Sequence, residues 1–369
     1  MSMKRRRTTP SGSRGSRSRG GVRDRHNVVT SENDNLSKAL ADLVPDEFRG
    51  TDRYLDVVQW NLEWFGAQKS LAKDKKRFGL VLDILTALNG DLFIFQEVTG
   101  PSKDGRYPGA LDAVADELTK RGAGEYVVSY TDAGGEQRVA MMWDREWLRS
   151  KITRDPPDLF PAGAYKMSDG KDPFAQRTPF YGYFEARIPA TSHEPDLKHG
   201  GGSNRFDFQA LGVHLKAMGE GHPQRLASAE VLAKWLTAEA PKIDSDAFIM
   251  GDWNAPPDDS CWAPLHTLEQ APQSKVVFQK INDPSDFSYL WLANRSDKYV
   301  SRIDLSAMTL SSMQQVVGKA AQVVHWKPIQ DVLAQAGDIT AKKVKDVMAQ
   351  LKDSISDHMP VVTRFYFTE

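Results

Sequence analysis

The sequence predicts an α/β (α+β) fold in which two packed sheets carry helices on their outer sides. Three observations predict it. Short β-type runs far outnumber what a simple strand–helix alternation would give. The helical stretches fall between groups of strands rather than after each strand. No repeat at solenoid spacing runs through the chain, so the strands do not form a stacked array. With 369 residues, 40% apolar and 26% charged, the chain can bury a substantial core.

The elements follow in order. Residues 35–43 read as a short helix at the domain edge. Residues 54–60 (YLDVVQW) read as a strand, and 71–88 have apolar residues at helical spacing, ending at the C-cap signal Asn89-Gly90. Residues 91–98 (DLFIFQEV) are a buried-type strand, and 110–120 a helix closed by Gly122. Strands at 126–130 and 138–143 are joined through Gly134-Gly135. The stretch 145–175 holds four prolines and reads as a surface loop. Strands follow at 180–188 and 206–215, linked by the polar, Gly-rich 191–204. An amphipathic helix at 223–240 precedes a short buried strand at 247–251, and 262–268 reads as helical. Residues 300–310 and 360–368 are strand-like, and 342–351 is a helix.

Charge divides the chain unevenly. Residues 1–25 hold nine Lys or Arg against the single acid Asp24, a net +8 that leaves the rest of the chain at −9. The segment is rich in Ser and Gly and has too few large apolar residues to offset its ordering entropy, so 1–33 is expected to be a disordered basic arm and 34–369 the folded domain. The arm reads either as a solubilising tail or as an electrostatic tether for nucleic acid. No apolar stretch follows the arginines, so no secretory signal is read. No apolar run is long enough for a membrane span. The expected location is cytoplasmic, with nuclear or nucleoid association through the arm. Cys261 is the only cysteine, which excludes an internal disulfide and a Cys-based zinc site.

Six segments share one form: an apolar run ending in polar residues that a hydrolytic metal site could use. They are Trp60-Asn61-Leu62-Glu63, Phe95-Gln96-Glu97-Val98, Gly212-Val213-His214-Leu215, Gly251-Asp252-Trp253-Asn254, Arg302-Ile303-Asp304 and Ser356-Asp357-His358-Met359-Pro360. Each has a plainer reading. Asn61 is a turn former, and Asp252 with Asn254 forms an Asx turn and helix cap. His214 is a satisfied core histidine, and Asp357-His358 a surface-loop pair. If their strand continues, Asp252 and Asn254 share one face. Glu97 stands apart, because a carboxylate following a buried apolar run needs a partner or a metal.

In this order and spacing, the motifs WNLEWFG, FQEV, GVHLKA, GDWN, RIDL and SDHMPV resemble those of the endonuclease/exonuclease/phosphatase (deoxyribonuclease I-like) superfamily, from about residue 55 to 362. The segment Gln176-Arg177-Thr178-Pro179-Phe180 resembles that family's arginine-plus-strand motif. The resemblance implies a four-layer sandwich of two packed mixed sheets flanked by helices, with the site where the sheets open. It implies that Glu97 is the principal metal ligand, aided by Asn61 and Glu63, with Asp357 adding a second carboxylate. Hard oxygen ligands of this kind suit Mg²⁺ or Mn²⁺. It implies that Asp252 and Asn254 position the attacking water and the scissile phosphate, and that Asp304 pairs with the catalytic His358. His214 would protonate the leaving oxygen or donate to the phosphate. Arg177 would bind phosphate through charge-assisted contacts. The stretch 305–356 is long for the family and reads as an insertion near the cleft.

The function expected from this resemblance is metal-dependent phosphodiester hydrolysis by in-line water attack, most directly as a nuclease (endonuclease) acting on DNA or RNA. The basic arm and His214 favour nucleic acid. A duplex-binding face would also need patches such as Lys73, Lys75, Lys76 and Arg77, which read equally as a solvated helix face. The alternatives are a phosphatase or phospholipase on inositol phosphates or sphingolipids, and a non-catalytic binding module on the same fold. The cysteine-aspartate-arginine segment of the inositol-phosphatase branch is absent from the sequence.

Overall fold

The structure is a computed structural model that describes residues 43–132, 134–151, 166–174, 177–188, 205–271, 273–278, 286–290 and 300–368. The basic arm, the helix expected at 35–43 (Leu43 excepted) and the linker 191–204 lie outside the described residues.

One six-stranded sheet contains β1 (Leu55–Phe65), β2 (Leu92–Val98), β3 (Tyr126–Tyr130), β4 (Arg138–Asp144), β13 (Gln322–Val323) and β14 (Val361–Phe365), in the order β13-β14-β1-β2-β4-β3. The other contains β5 (Leu148–Ser150), β6 (Phe180–Ala186), β7 (Asp207–His214), β8 (Ala247–Asp252), β9 (Val276–Phe278) and β12 (Asp304–Thr309), in the order β5-β6-β7-β8-β12-β9. Both sheets are mixed: β1 and β2 run parallel, as do β7 and β8, among antiparallel neighbours. A small hairpin, β10 (Tyr289–Leu290) with β11 (Val300–Ser301), stands apart.

Helices α1 (Leu71–Leu88) and α2 (Asp112–Lys120) cover the first sheet; α3 (His222–Lys234) and α4 (Ala263–Gln270) cover the second. The short α5 (Leu310–Gln314) follows β12, and α6 (Lys327–Ala336) and α7 (Lys342–Ser354) join α1 over the first sheet. This is the four-layer sandwich that the resemblance implied.

Strand periodicity explains both the core and the site. On β1, Leu55 and Val57 enter the apolar layer between the sheets, while Val58 and Trp60 face the helices. On β8, Phe248 and Met250 face the same inner layer, and Ala247 and Ile249 face outward. On β7, Phe208 and Ala210 point inward, and Leu211 and Val213 outward. Continued by twos, the inward rows end in Gln59 and Asn61, in Asp252 and in His214. The inner face is therefore apolar in mid-strand and polar at one edge. Gly251 permits this edge to close, since a Cβ there would stand 2.0 Å from Val213 O.

Several elements differ from expectation. Strand β1 runs on to Phe65, so Asn61 and Glu63 lie within it, in a bulged segment whose pairing register with β2 shifts between Asn61 and Phe65. The helix expected over 223–240 stops at Lys234 and continues as a π turn, Trp235–Glu239. The loop expected over 145–175 contains β5, and 152–165 and 175–176 lie outside the described residues. Strand β10 and helix α6 were not anticipated, and the run expected over 300–310 divides into β11 and β12. The stretch 305–356 does reach the edge of the cleft: Lys352 Nζ donates to Leu290 O at 3.4 Å, and Lys73 Nζ to Lys352 O at 2.8 Å. Among the described residues, no helix is long and apolar enough to cross a membrane.

Candidate active site

Sheet register assembles the site. His214 pairs directly with Asp252 across parallel β7 and β8, and Asp252 with Asp304 across antiparallel β8 and β12. These three side chains thus form one row on the inner face of the second sheet. Asn61 and Glu97 face them from the carboxyl ends of β1 and β2, where ligand crevices form in open α/β sheets. Both strands bulge there, and Glu63, Trp64 and Glu97 all have positive φ, at 46°, 58° and 57°. Such non-glycine conformations cost on the order of 1–3 kcal/mol each and persist where the surroundings enforce them. At Glu97 the bulge breaks the alternation of β2.

Asp252 is the centre of the cluster. Its Oδ2 accepts from Asn61 Nδ2 at 3.0 Å and from Asn254 Nδ2 at 3.1 Å. The same oxygen lies 3.6 Å from His214 Nε2 and 3.8 Å from His358 Nε2. Burial pushes its carboxyl up to about 7 against the pull of His358; Asp304 and Glu97 add to the rise. Asn254 reaches Asp252 through an Asx turn, Asn254 N to Asp252 Oδ1 at 2.9 Å with φ 57°, and not through continued strand alternation. The turn former and the site residue are thus the same residue.

His358 is held from several sides. Its Nδ1 bonds to Asp304 Oδ2 at 2.8 Å, and Trp60 Nε1 donates to its backbone oxygen at 3.0 Å. Its backbone bridges Tyr289 on β10, whose ring lies 4.7 Å from the imidazole. Asp304 also accepts from Gln59 Nε2 and from Ser288 Oγ, both at 2.6 Å. Burial alone would lower the imidazole pKa. The attraction of Asp304, then Asp252, outweighs it and carries the group to about 10. His358 is therefore an imidazolium at neutral pH, with Nε2–H directed towards Asp252 and, at 3.9 Å, Asp357 Oδ1.

His214 is the opposite case. Burial first, then the charges of Arg177 and His358, hold its pKa well below the ordinary value. Arg177 Nη1 donates to its Nε2 at 2.8 Å, so the ring proton sits on Nδ1, which finds no acceptor among the described residues. In this state His214 cannot give a proton from Nε2. Arg177 also donates to Leu215 O at 2.9 Å and to Gln137 Oε1 at 2.9 Å.

The expected metal ligands fall into an inner and an outer group. Glu97 Oε1 lies 3.5 Å from Asn61 Nδ2, and its buried Oε2 has no partner among the described residues. An orphaned oxygen on a carboxylate that Asn61 links to Asp252 fits a hard divalent cation, the class of ion that the family uses. Asn61 turns its amide nitrogen to these carboxylates, while its Oδ1 accepts from Glu63 N at 2.9 Å. As oriented, it bridges Glu97 and Asp252 as a donor rather than offering an oxygen. Glu63 is bonded to Lys73 at 2.6 Å, at the rim. Asp357 lies near the same rim; burial raises its pKa, His358 opposes, and Glu63 adds to the rise.

Arg77 is fully buried, bonded to Asp74, Ile355 O and Glu63 O, so with Lys73 it braces the site and offers no basic surface. Sequence reasoning did not single out Gln59, Ser288, Tyr289 or Gln137. Gln59 alone left a signal, a polar residue on the inward row of β1.

The fold has solved counterparts at low identity. The human Nocturnin catalytic domain with bound sulfate is 15% identical, with 88% of this chain and 99% of that one covered and a TM-score of 0.50. An endonuclease/exonuclease/phosphatase from Bacteroides vulgatus is 13% identical, with 85% and 99% covered and a TM-score of 0.50. A family protein from Bacteroides thetaiotaomicron is also 13% identical, with 85% and 95% covered and a TM-score of 0.50. No curated protein matches the chain in sequence. The Endonuclease/Exonuclease/phosphatase family matches residues 58–260, more than half of the chain and four of its six motifs. The chain therefore belongs to the endonuclease/exonuclease/phosphatase family, whose members are hydrolases acting on phosphoester bonds.

Proposed function

We propose that the protein is a nuclease that hydrolyses phosphodiesters by in-line attack of water, with Mg²⁺ or Mn²⁺ held by Glu97. The observation that carries the reading is the position of Asp252 Oδ2. It accepts from two amide donors, one of which also reaches Glu97, and lies 3.8 Å from Nε2 of the His358 imidazolium.

When bound, the divalent cation supplies charge stabilisation at the phosphate. Glu97, with Asp252 beside it, would hold that cation. Asp252, once ionised, can orient the attacking water and take its proton. Asn61 and Asn254 fix the carboxylate, and Asn254 is anchored in turn by Leu215 O at 3.0 Å. His358, kept charged by Asp304, presents Nε2–H to the charge developing on the phosphate. Arg177, bonded to neutral His214, offers a cationic phosphate contact once it exchanges its internal acceptors for phosphate oxygens.

The choice of nucleic acid rests on the +8 arm of residues 1–25, which matches a polyanionic substrate. The test is incubation of the full chain with supercoiled plasmid, linear duplex and single-stranded DNA or RNA, with Mg²⁺, with Mn²⁺ or with EDTA. Cleavage that needs the cation supports the reading. Turnover of only phosphomonoesters or lipid headgroups under the same conditions contradicts it.

A further inference from the structure

We propose a second metal site, of the zinc class, built from His222, Asp259 and Cys261. It shares no residue with the catalytic cluster. One donor atom from each side chain lies within 4.8 Å of the other two, and His222 Nδ1 is 3.1 Å from Asp259 Oδ1. Tetrahedral zinc, with bonds of about 2.0–2.3 Å, sets its ligands roughly 3.3–3.8 Å apart, so small side-chain shifts bring the three onto one ion. An imidazole, a carboxylate and a thiolate suit zinc and not the magnesium expected at Glu97. The carboxylate and thiolate together balance the dication, and solvent can fill the fourth position beside the partly exposed His222. A single cysteine rules out a cysteine-rich zinc site. It does not rule out this mixed set, which corrects the exclusion drawn from the cysteine count.

A second observation points the same way. Arg225 is buried, and its Nη1 donates to Lys216 O at 2.7 Å and Met218 O at 2.8 Å. Its buried Nε finds no acceptor among the described residues. Leaving such a donor unmade is costly. Burial first, then Asp259, push the Cys261 thiol up to about 12, and the Arg225 guanidinium opposes them, so it takes a bound cation to hold the sulfur as a thiolate. A metal-bound thiolate beside Arg225 would offer that donor an anionic acceptor, the outer contact that tunes metal–thiolate bonds. On binding, the S–H bond of Cys261 breaks, a metal–sulfur bond forms, and the proton leaves to solvent.

The placement gives the site a purpose. His222 begins α3, in the connection that follows His214, and Asp259 caps the turn Ser260–Trp262, in the connection that follows Asn254. An ion here would tie together the two connections that leave the cleft after His214 and after Asn254.

The test uses the full chain, stripped with EDTA and then held in excess Mg²⁺, titrated with Co²⁺ and back-titrated with Zn²⁺. One equivalent of Co²⁺ should produce a thiolate-to-cobalt charge-transfer band in the near ultraviolet, and Zn²⁺ should remove it. An ion at the catalytic carboxylates gives no such band. Cys261→Ser should abolish it. His222→Ala, at a partly exposed helix start where folding is retained, should weaken Co²⁺ binding at least about tenfold, with a melt confirming the fold. Absence of a thiolate band in the wild type, or unchanged Co²⁺ affinity in folded His222→Ala, overturns the proposal. Neither result bears on phosphodiester cleavage at Glu97.

Discussion

Gln59 Nε2 donates to Asp304 Oδ1 at 2.6 Å, a bond that crosses the gap between the two sheets. Asp304 is fully buried, and its other oxygen holds both Ser288 and His358. Three donors thus converge on a carboxylate that has no access to water. Removing a hydrogen bond to a buried charge costs about 1.5–3 kcal/mol. Gln59→Met should therefore lower unfolding stability by about that amount in denaturant titrations, with little change in KM. A wild-type denaturation midpoint in this variant would mean that Asp304 does not depend on the donor.

The Asp304–His358 pair sets a pH dependence whose sign follows from the shift. The folded-state pKa of His358 is raised from 6.5 to about 10. Its contribution to stability is fully present below about 6.5, and is lost as pH rises through about 10. An NMR titration of the His358 ring should show an imidazolium that persists past pH 8. Asp304→Asn should move the transition down and flatten the alkaline loss of stability. A transition near 6.5 in the wild-type protein would contradict the pairing.

Glu97 faces the cleft with an unpartnered carboxylate oxygen. Glu97→Gln keeps the shape but gives a neutral amide, which holds a divalent cation poorly. Cleavage should fall to background while the circular dichroism and melting curve stay close to wild type. Full activity of this variant at saturating Mg²⁺ would remove Glu97 from the metal site.

The arm makes a separate prediction. Deleting residues 1–25 should weaken binding to nucleic acid and flatten its dependence on salt, because fewer counterions are released. Turnover at saturating substrate should change little. Equal salt slopes with and without the arm, measured by fluorescence anisotropy, would reduce it to a tail.

Much of this arrangement is legible in the residues themselves, for a physical reason. Inward-facing positions on β1, β7 and β8 are apolar until the edge, where Asn61, His214 and Asp252 break the pattern. The helix 71–88 matches its period and its Asn89 cap, which adopts φ 41°. What the pattern could not give is contact across long chain separations. Nothing near Asp304 in sequence announces Gln59, and Tyr289 lies in an apolar dipeptide strand with no period to read. The protonation of the two histidines was equally hidden. One is cationic because Asp304 touches His358, and the other neutral because burial, then the charge of Arg177, holds down the pKa of His214. The same contact shows that His214, as it stands, accepts where a proton donor was expected.

The central claim is that His358 performs chemistry at this cleft and does not merely brace the loop beside β10. The most direct measurement is single-turnover cleavage by His358→Ala, run beside a thermal melt of the same variant. The account predicts a rate loss of roughly 10²–10⁴-fold, the usual span for a positioned acid–base group, in a variant that melts lower because Asp304 loses its partner but stays folded at the assay temperature and still binds substrate. A folded His358→Ala protein that cleaves within a few-fold of wild type would contradict it.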